Sequence, residues 1–552
     1  MWRTSLKMNV ILCVLFSTLI SCISCELLKL KDGAINGTVG KSKNGRSFYQ
    51  FYSIPYAEPP VGELRLKPPV APKPWSGVKD ATKWPPKCIQ TPVSFFSFGA
   101  PTKVQEDCLY LNVFVPNDLF KPSGKAAVMV WIHGGSFQFG SSEDYNPEYF
   151  MDKDVILVTI NYRLGALGFF GMNNDVISGN FGLKDQALAL QWVKENIAAF
   201  GGDPDKVTLI GESAGAASVH LHMFSPLSKG LFQKAIMQSG SALSGWAARD
   251  YGFVEALSTS FLVISGCFRN DSTRILKCLQ NLPANEFLTL GKRIYAGNNT
   301  AATMHFKPVV ESNVKNNPFL PQVLDKSTYL NNVPWIGGIN SGEGAMGLAL
   351  LLGKGGALEN VTNVTTKTLV PVIGSYLHSL DPENVEKKAQ KIVDFYFSSN
   401  DTKARRSLKF VDIVTDSAFL YPLIETIQSS GEQKYVYFYD HRGSFSWQDF
   451  AKLDVDLGVS HADELPLLFR SKILEAKWNP QDKLVSEKLL KFWTEFAIKG
   501  DPNGESEEKL WKPTNSEGDI EYLHIKGNST TMEKNILKDR YEFWESLYHT
   551  ND

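Results

Sequence analysis

The sequence predicts an α/β fold in which one large, mostly parallel central sheet is flanked by helices. Three observations carry that expectation. Short continuous apolar runs recur along the chain, as buried parallel strands require. Stretches with apolar residues at spacings of three and four lie between them, the period of a helix face. No repeat, low-complexity tract or Pro- or Ser-rich linker divides residues 26–552, so a single domain is expected there. Hydrophobic residues make up 43% of the 552-residue chain and charged residues 21%, ample for a large apolar core and unlike a disordered chain.

The elements follow in order. Residues 1–25 carry Arg3 and Lys7, an apolar run from Val10 to Ile20, then Ser21 and Ser24 among small residues, a signal-peptide pattern. Its apolar core is short for a bilayer span, and no later run reaches about 18 uninterrupted apolar residues. The mature chain is expected to begin near Glu26 and to be secreted, without a stable membrane anchor. Ala126–Ile132 (AAVMVWI) and Val155–Ile160 (VILVTI) read as buried strands. Leu183, Ala187, Leu190, Val193 and Ile197 then mark one face of a helix over 183–200. Val207–Ile210 is a third strand, followed by Gly211-Glu212-Ser213-Ala214-Gly215 and a second helical pattern; Lys234–Met237, Pro334–Ile339 and Tyr435–Tyr439 are further strand candidates. Such alternation places helices on both faces of the sheet.

Charge and cysteine usage narrow the function classes. The formal net charge is −1 with no long Lys/Arg run, so nucleic acid is not an expected partner. Cys13, Cys22 and Cys25 fall in the leader, leaving Cys88, Cys108, Cys267 and Cys278, an even set suited to two bridges in an oxidising compartment. Pairing nearest neighbours closes two short local loops. The spacing lacks the paired cysteines and histidines of a zinc site, and no metal or organic cofactor is expected. Sequons stand at Asn36, Asn270, Asn298, Asn360, Asn363, Asn400 and Asn528, in keeping with a secretory glycoprotein.

The chemistry centres on Gly211–Gly215. A G-x-S-x-G pattern between a strand and a helix is a nucleophile elbow, in which glycines let strand and helix pass close so that the Ser213 hydroxyl stands clear. A serine hydroxyl needs a base within reach and an acid to orient it. In this motif they follow in the order serine, acid, histidine. His220 and His222 lie on the helix after the elbow and are expected to face away. His441 and His461 are both candidates for the base, and local sequence does not separate them. His133-Gly134-Gly135-Ser136, after an early strand, offers glycine-rich backbone for an oxyanion hole, with Gly135, Ser136 and Ala214 as the donors.

Several separate stretches resemble the type-B carboxylesterase and cholinesterase family of α/β-hydrolases over nearly the whole mature chain. They are Phe51-Tyr52-Ser53-Ile54-Pro55-Tyr56-Ala57, Glu106-Asp107-Cys108-Leu109-Tyr110-Leu111-Asn112-Val113, Asn161-Tyr162-Arg163-Leu164-Gly165, and the elbow with Phe200–Pro204 before it and Gln238-Ser239-Gly240-Ser241 after it. The resemblance implies Glu343 as the acid and His461 as the base, supports the two local disulfides, and suggests Ser239 and Glu212 as supporting residues beside the nucleophile. It implies hydrolysis of small to medium uncharged carboxylic esters, as in a general insect-type carboxylesterase. Ser136 stands where the family commonly has Gly or Ala. No tryptophan lies between Cys88 and Cys108, where cholinesterases hold a quaternary ammonium, so choline esters are disfavoured. Glu212 replaces the Gln usual in juvenile hormone esterases. Specialised hormone, pheromone or choline esterases remain the alternatives within the enzyme class, and a binding-only adhesion relative the alternative outside it.

Overall fold

In the computed structural model the described residues are 26–90, 103–122, 124–249, 251–296, 306–352, 382–429, 433–451, 455–470 and 478–549. The leader and the sequons Asn298, Asn360 and Asn363 lie outside them, as do residues 91–102 of the segment between Cys88 and Cys108. A 13-stranded sheet forms the centre. Its parallel part runs, in spatial order, Val155–Ile160, Ala126–Ile132, Gly202–Glu212, Lys234–Gln238, Trp335–Asn340, Lys434–Tyr439 and Glu521–Lys526. Antiparallel strands extend it on both sides. Tyr110–Pro116, Ser47–Pro55, Ala34–Lys41 and Glu26–Lys29 lie beyond Val155–Ile160, and Ser529–Lys534 lies beyond Glu521–Lys526.

The apolar runs are continuous because both sides of the strands are covered. Within Ala126–Ile132, Val128, Val130 and Ile132 enter one hydrophobic cluster while Ala127, Met129 and Trp131 enter another, the two-residue alternation of a strand. Helices Phe181–Asn196 and Ala214–Phe224 contribute Leu183, Leu190, Val193, Ala216 and Val219 to the first cluster. Helix Pro480–Lys499 contributes Val485, Leu489 and Trp493 to the second. The expected helix over 183–200 is a helix to Asn196 followed by a 3-10 turn, Ile197–Phe200, which Gly201 ends at φ 91°.

Register aligns the ends of the central strands. Gly211 pairs with Ile132, Glu212 with Gln238, and Gln238 with Gly338. The turns after Ile132, Glu212, Gln238 and Asn340 therefore open at one edge, the carboxyl end where parallel α/β sheets place their ligands.

Candidate active site

Ser213 occupies the one-residue joint between strand Gly202–Glu212 and helix Ala214–Phe224, at φ 57° and ψ −124°. That conformation costs a side-chain-bearing residue about 1–3 kcal/mol and persists only where the surroundings impose it. Two backbone bonds do so: Ser213 N donates to Gln238 O at 2.9 Å, and Ser213 O accepts from Ala217 N at 2.9 Å. The glycines have the steric role expected of them. A β-carbon on Gly215 would lie 2.0 Å from Ile132 O, and one on Gly211 would lie 2.5 Å from the Gly215 carbonyl carbon.

His461 and Glu343 meet although 118 residues separate them: His461 Nδ1 is 2.6 Å from Glu343 Oε2. Glu343 follows the strand Trp335–Asn340, and its Oε1 accepts from Asn340 N at 2.7 Å, which fixes the carboxylate plane. On the other side of the imidazole, His461 Nε2 is 3.0 Å from Glu212 Oε1, a contact without hydrogen-bond alignment. Burial alone would lower the His461 pKa, but the carboxylates of Glu212 and Glu343 outweigh it and raise it to about 9. Burial likewise pushes Glu212 up to about 8, against the pull of His461. Phe419 covers the imidazole, with ring centroids 5.0 Å apart.

A polar layer beneath these residues escaped sequence reasoning. Buried Glu464 accepts from Gln238 Nε2 at 2.9 Å and from Asn340 Nδ2 at 2.8 Å. Asn340 Nδ2 also donates to Ser460 O at 2.8 Å, and Trp493 Nε1 donates to Gln238 Oε1 at 3.0 Å. Glu464 and Asn340 thus tie the end of strand Lys234–Gln238, the end of strand Trp335–Asn340 before Glu343 and the loop that carries His461 together. Burial raises its pKa, which the Asn340 hydrogen bond partly offsets. The available signal was a polar residue ending each of two apolar strands, Gln238 and Asn340.

Gly135, Ser136 and Phe137 follow one another in the left-handed region, at φ 105°, 54° and 60°. Gly135 O accepts from Gln138 N at 2.8 Å and Phe139 N at 3.1 Å, closing the turn. Among the described residues, no hydrogen bond uses the N–H of Gly135, Ser136 or Ala214. Ser136 carries the conformational cost that a glycine at that position avoids. The turn lies against the elbow, since a β-carbon on Gly134 would be 3.1 Å from Ser213 Cβ and 2.7 Å from Glu212 Oε2. Buried Ser239, at φ 53°, donates its N–H to Gly338 O at 2.9 Å while its hydroxyl has no partner among the described residues.

The remaining histidines separate cleanly. His441 Nε2 pairs with Asp482 Oδ1 at 2.9 Å at the start of helix Pro480–Lys499, and the geometry gives it no part in the Glu343–His461 pair. His220 contacts Ser241 and Tyr329, and His222 contacts Ser228 and Gln186; burial holds both near a pKa of about 3. Both bridges exist, Cys88–Cys108 and Cys267–Cys278. Asn270, Asn400 and Asn528 are exposed, whereas Asn36 is half-buried in a strand and its Oδ1 accepts from Ala81 N at 3.1 Å.

With this geometry established, comparison with known proteins gives a consistent result. The model of the carboxylesterase family matches residues 24–544. The chain belongs to the carboxylesterase family. It is 35% identical to juvenile hormone esterase of Tribolium castaneum, covering 94% of this chain and 93% of that protein. It is 33% identical to venom carboxylesterase-6 of Apis mellifera, covering 93% of each. The crystal structure of juvenile hormone esterase from Manduca sexta, with OTFP covalently attached, superposes with a TM-score of 0.84. It is 28% identical and covers 96% of this chain and all of that one. The carboxylesterase fold expected from sequence, an α/β-hydrolase, is therefore the fold of this chain. Among the described residues, no helix is long and apolar enough to cross a membrane.

Proposed function

We propose that this carboxylesterase-family protein hydrolyses small to medium uncharged carboxylic esters through an acyl-enzyme on Ser213. The observation that carries the reading is the strained elbow serine next in the chain to Glu212, whose Oε1 is 3.0 Å from Nε2 of a buried His461 that Glu343 holds at 2.6 Å. His461 takes the proton of Ser213 Oγ as the hydroxyl attacks the ester carbonyl, then returns it to the leaving alcohol. Water attacks the acyl-enzyme by the same route in reverse. Glu343 holds Nδ1–H, so that when the imidazole is neutral Nε2 is the nitrogen without a proton and acts as the base. The N–H groups of Gly135, Ser136 and Ala214 receive the developing oxyanion; one such donor contributes about 3 kcal/mol to the transition state.

The apolar leader, the four cysteines paired as two disulfides, and the exposed sequons support export as a glycoprotein. A narrower reading, hydrolysis of juvenile hormone, has in its favour the similarity to two proteins named for that activity. Glu212, where such enzymes usually carry Gln, favours the general esterase.

Turnover of p-nitrophenyl acetate by wild type and Ser213→Ala tests the reading. Wild type is expected to turn over and the variant to lose several orders of magnitude in kcat. Equal activity would remove Ser213 from the role, and an inert wild type would favour a binding protein.

A further inference from the structure

A π-helical turn, Asp416–Leu420, interrupts the path between helices Lys403–Thr415 and Tyr421–Ser429. Such single turns insert a residue and re-aim the side chains around them, which is why they gather at functional positions. Here the turn delivers Phe419 to the ring of His461, 5.0 Å between centroids. The neighbouring Ala418 carbonyl accepts from Trp246 Nε1 at 3.0 Å. Immediately before the turn, Thr415 Oγ1 accepts from Gly344 N at 3.2 Å, one residue after Glu343. This segment therefore touches the base directly and the acid through its neighbour.

What holds the segment acts on its first residue, Asp416. Asp416 is fully buried and receives Arg540 Nε on Oδ2 at 2.6 Å and Arg540 Nη2 on Oδ1 at 2.5 Å. Arg540 belongs to helix Lys538–His549, and its Nη1 is also 3.0 Å from Asp412 Oδ1. The Tyr396 hydroxyl, from helix Pro382–Tyr396, donates to Asp416 Oδ2 and accepts from Trp544 Nε1 at 2.7 Å. The planar fork of a guanidinium specifies the direction of its partner as well as its distance, which a lysine ammonium does not.

We propose that Arg540 is a positioning residue for the reaction: its two-point grip on Asp416 sets the π turn, which in turn holds Phe419 against the imidazole of His461. The inference rests on His461 being the base. It makes the orientation of that base depend on helix Lys538–His549, which supplies Arg540.

The test uses the full chain and p-nitrophenyl acetate, with kcat, KM and thermal unfolding measured for Arg540→Gln, Arg540→Lys, Phe419→Leu and the Arg540→Gln/Phe419→Leu double variant. Arg540→Gln is expected to lower kcat by about 10- to 100-fold, the scale on which small misplacements act, while KM moves far less. Arg540→Lys restores only part of the loss. In the Phe419→Leu background, Arg540→Gln is expected to change kcat less than twofold, because the route through Phe419 is already cut. If Arg540→Gln does not fold, Asp416→Asn, which keeps an acceptor for Tyr396, replaces it in the same cycle. A lowered melting temperature with unchanged kcat would overturn the inference, as would full additivity with Phe419→Leu. Either result alongside an active wild type leaves the esterase reading intact, whereas an inert wild type overturns both.

Discussion

Glu343→Gln removes one negative charge beside His461 and leaves the shape of the side chain almost unchanged. Asn340 N donates to Oε1 at 2.7 Å, so the new amide must turn its oxygen toward that N–H and its NH2 toward His461. His461 Nδ1 must then accept, its proton moves to Nε2, and the nitrogen that should take the Ser213 proton already carries one. The lost attraction to the imidazolium formed in the transition state adds to this. At 2.6 Å, with the Glu343 side chain fully buried, an effective dielectric of about 20 makes that attraction about 6 kcal/mol. A change of acid to amide in a serine–histidine–acid site lowers kcat by about 10⁴-fold, or about 5 kcal/mol, which is the same scale. The assay is kcat on p-nitrophenyl acetate, with Glu343→Asp as a control that keeps the charge and is expected to retain more activity. A Glu343→Gln variant within tenfold of wild type would refute the assignment of the acid.

Other expectations follow from the same geometry. Glu212→Gln removes a carboxylate that raises the His461 pKa, so the acid limb of the kcat/KM pH profile is expected to move to lower pH. The base works only when neutral, so activity falls as pH drops through its pKa; an unmoved limb, or one moved upward, would contradict the account. Separate serine substitutions of Cys88 with Cys108, spaced 20 residues apart, and of Cys267 with Cys278, spaced 11 apart, are each expected to cost about 3 kcal/mol, read as a lowered urea midpoint. Midpoints matching wild type would show that the closures add no stability. Among the described sequons, glycan mapping of secreted protein is expected to find Asn270, Asn400 and Asn528 occupied and Asn36 empty; an occupied Asn36 would mean that its strand is accessible before folding completes.

Sequence exposed what depends on local pattern and hid what depends on assembly. Ala126–Ile132, Val155–Ile160 and the elbow were legible because strands covered on both faces must be apolar throughout, and because only glycine fits at 211 and 215. Ser529–Lys534 (STTMEK) and Ala34–Lys41 (AINGTVGK), near the sheet edges, are polar or glycine-bearing, and their pairing comes from a neighbouring strand rather than from burial. Glu343, the proposed acid, was invisible from spacing alone. One glutamate among many becomes distinctive only when the sheet brings it to His461, and resemblance to a family supplied what periodicity lacked. His441 and His461 looked equivalent for the same reason: what separates them is Asp482, 41 residues after His441, against Glu343, 118 residues before His461. Glu464 stayed hidden because a buried carboxylate is satisfied by partners on two other strand ends, Gln238 and Asn340.

The most direct test of the account is peptide mapping by mass spectrometry after reaction with a fluorophosphonate, which traps activated serine nucleophiles covalently. The account predicts one adduct per chain, on Ser213, abolished in His461→Ala. An unmodified Ser213 in folded protein, or an adduct on another serine, would contradict it.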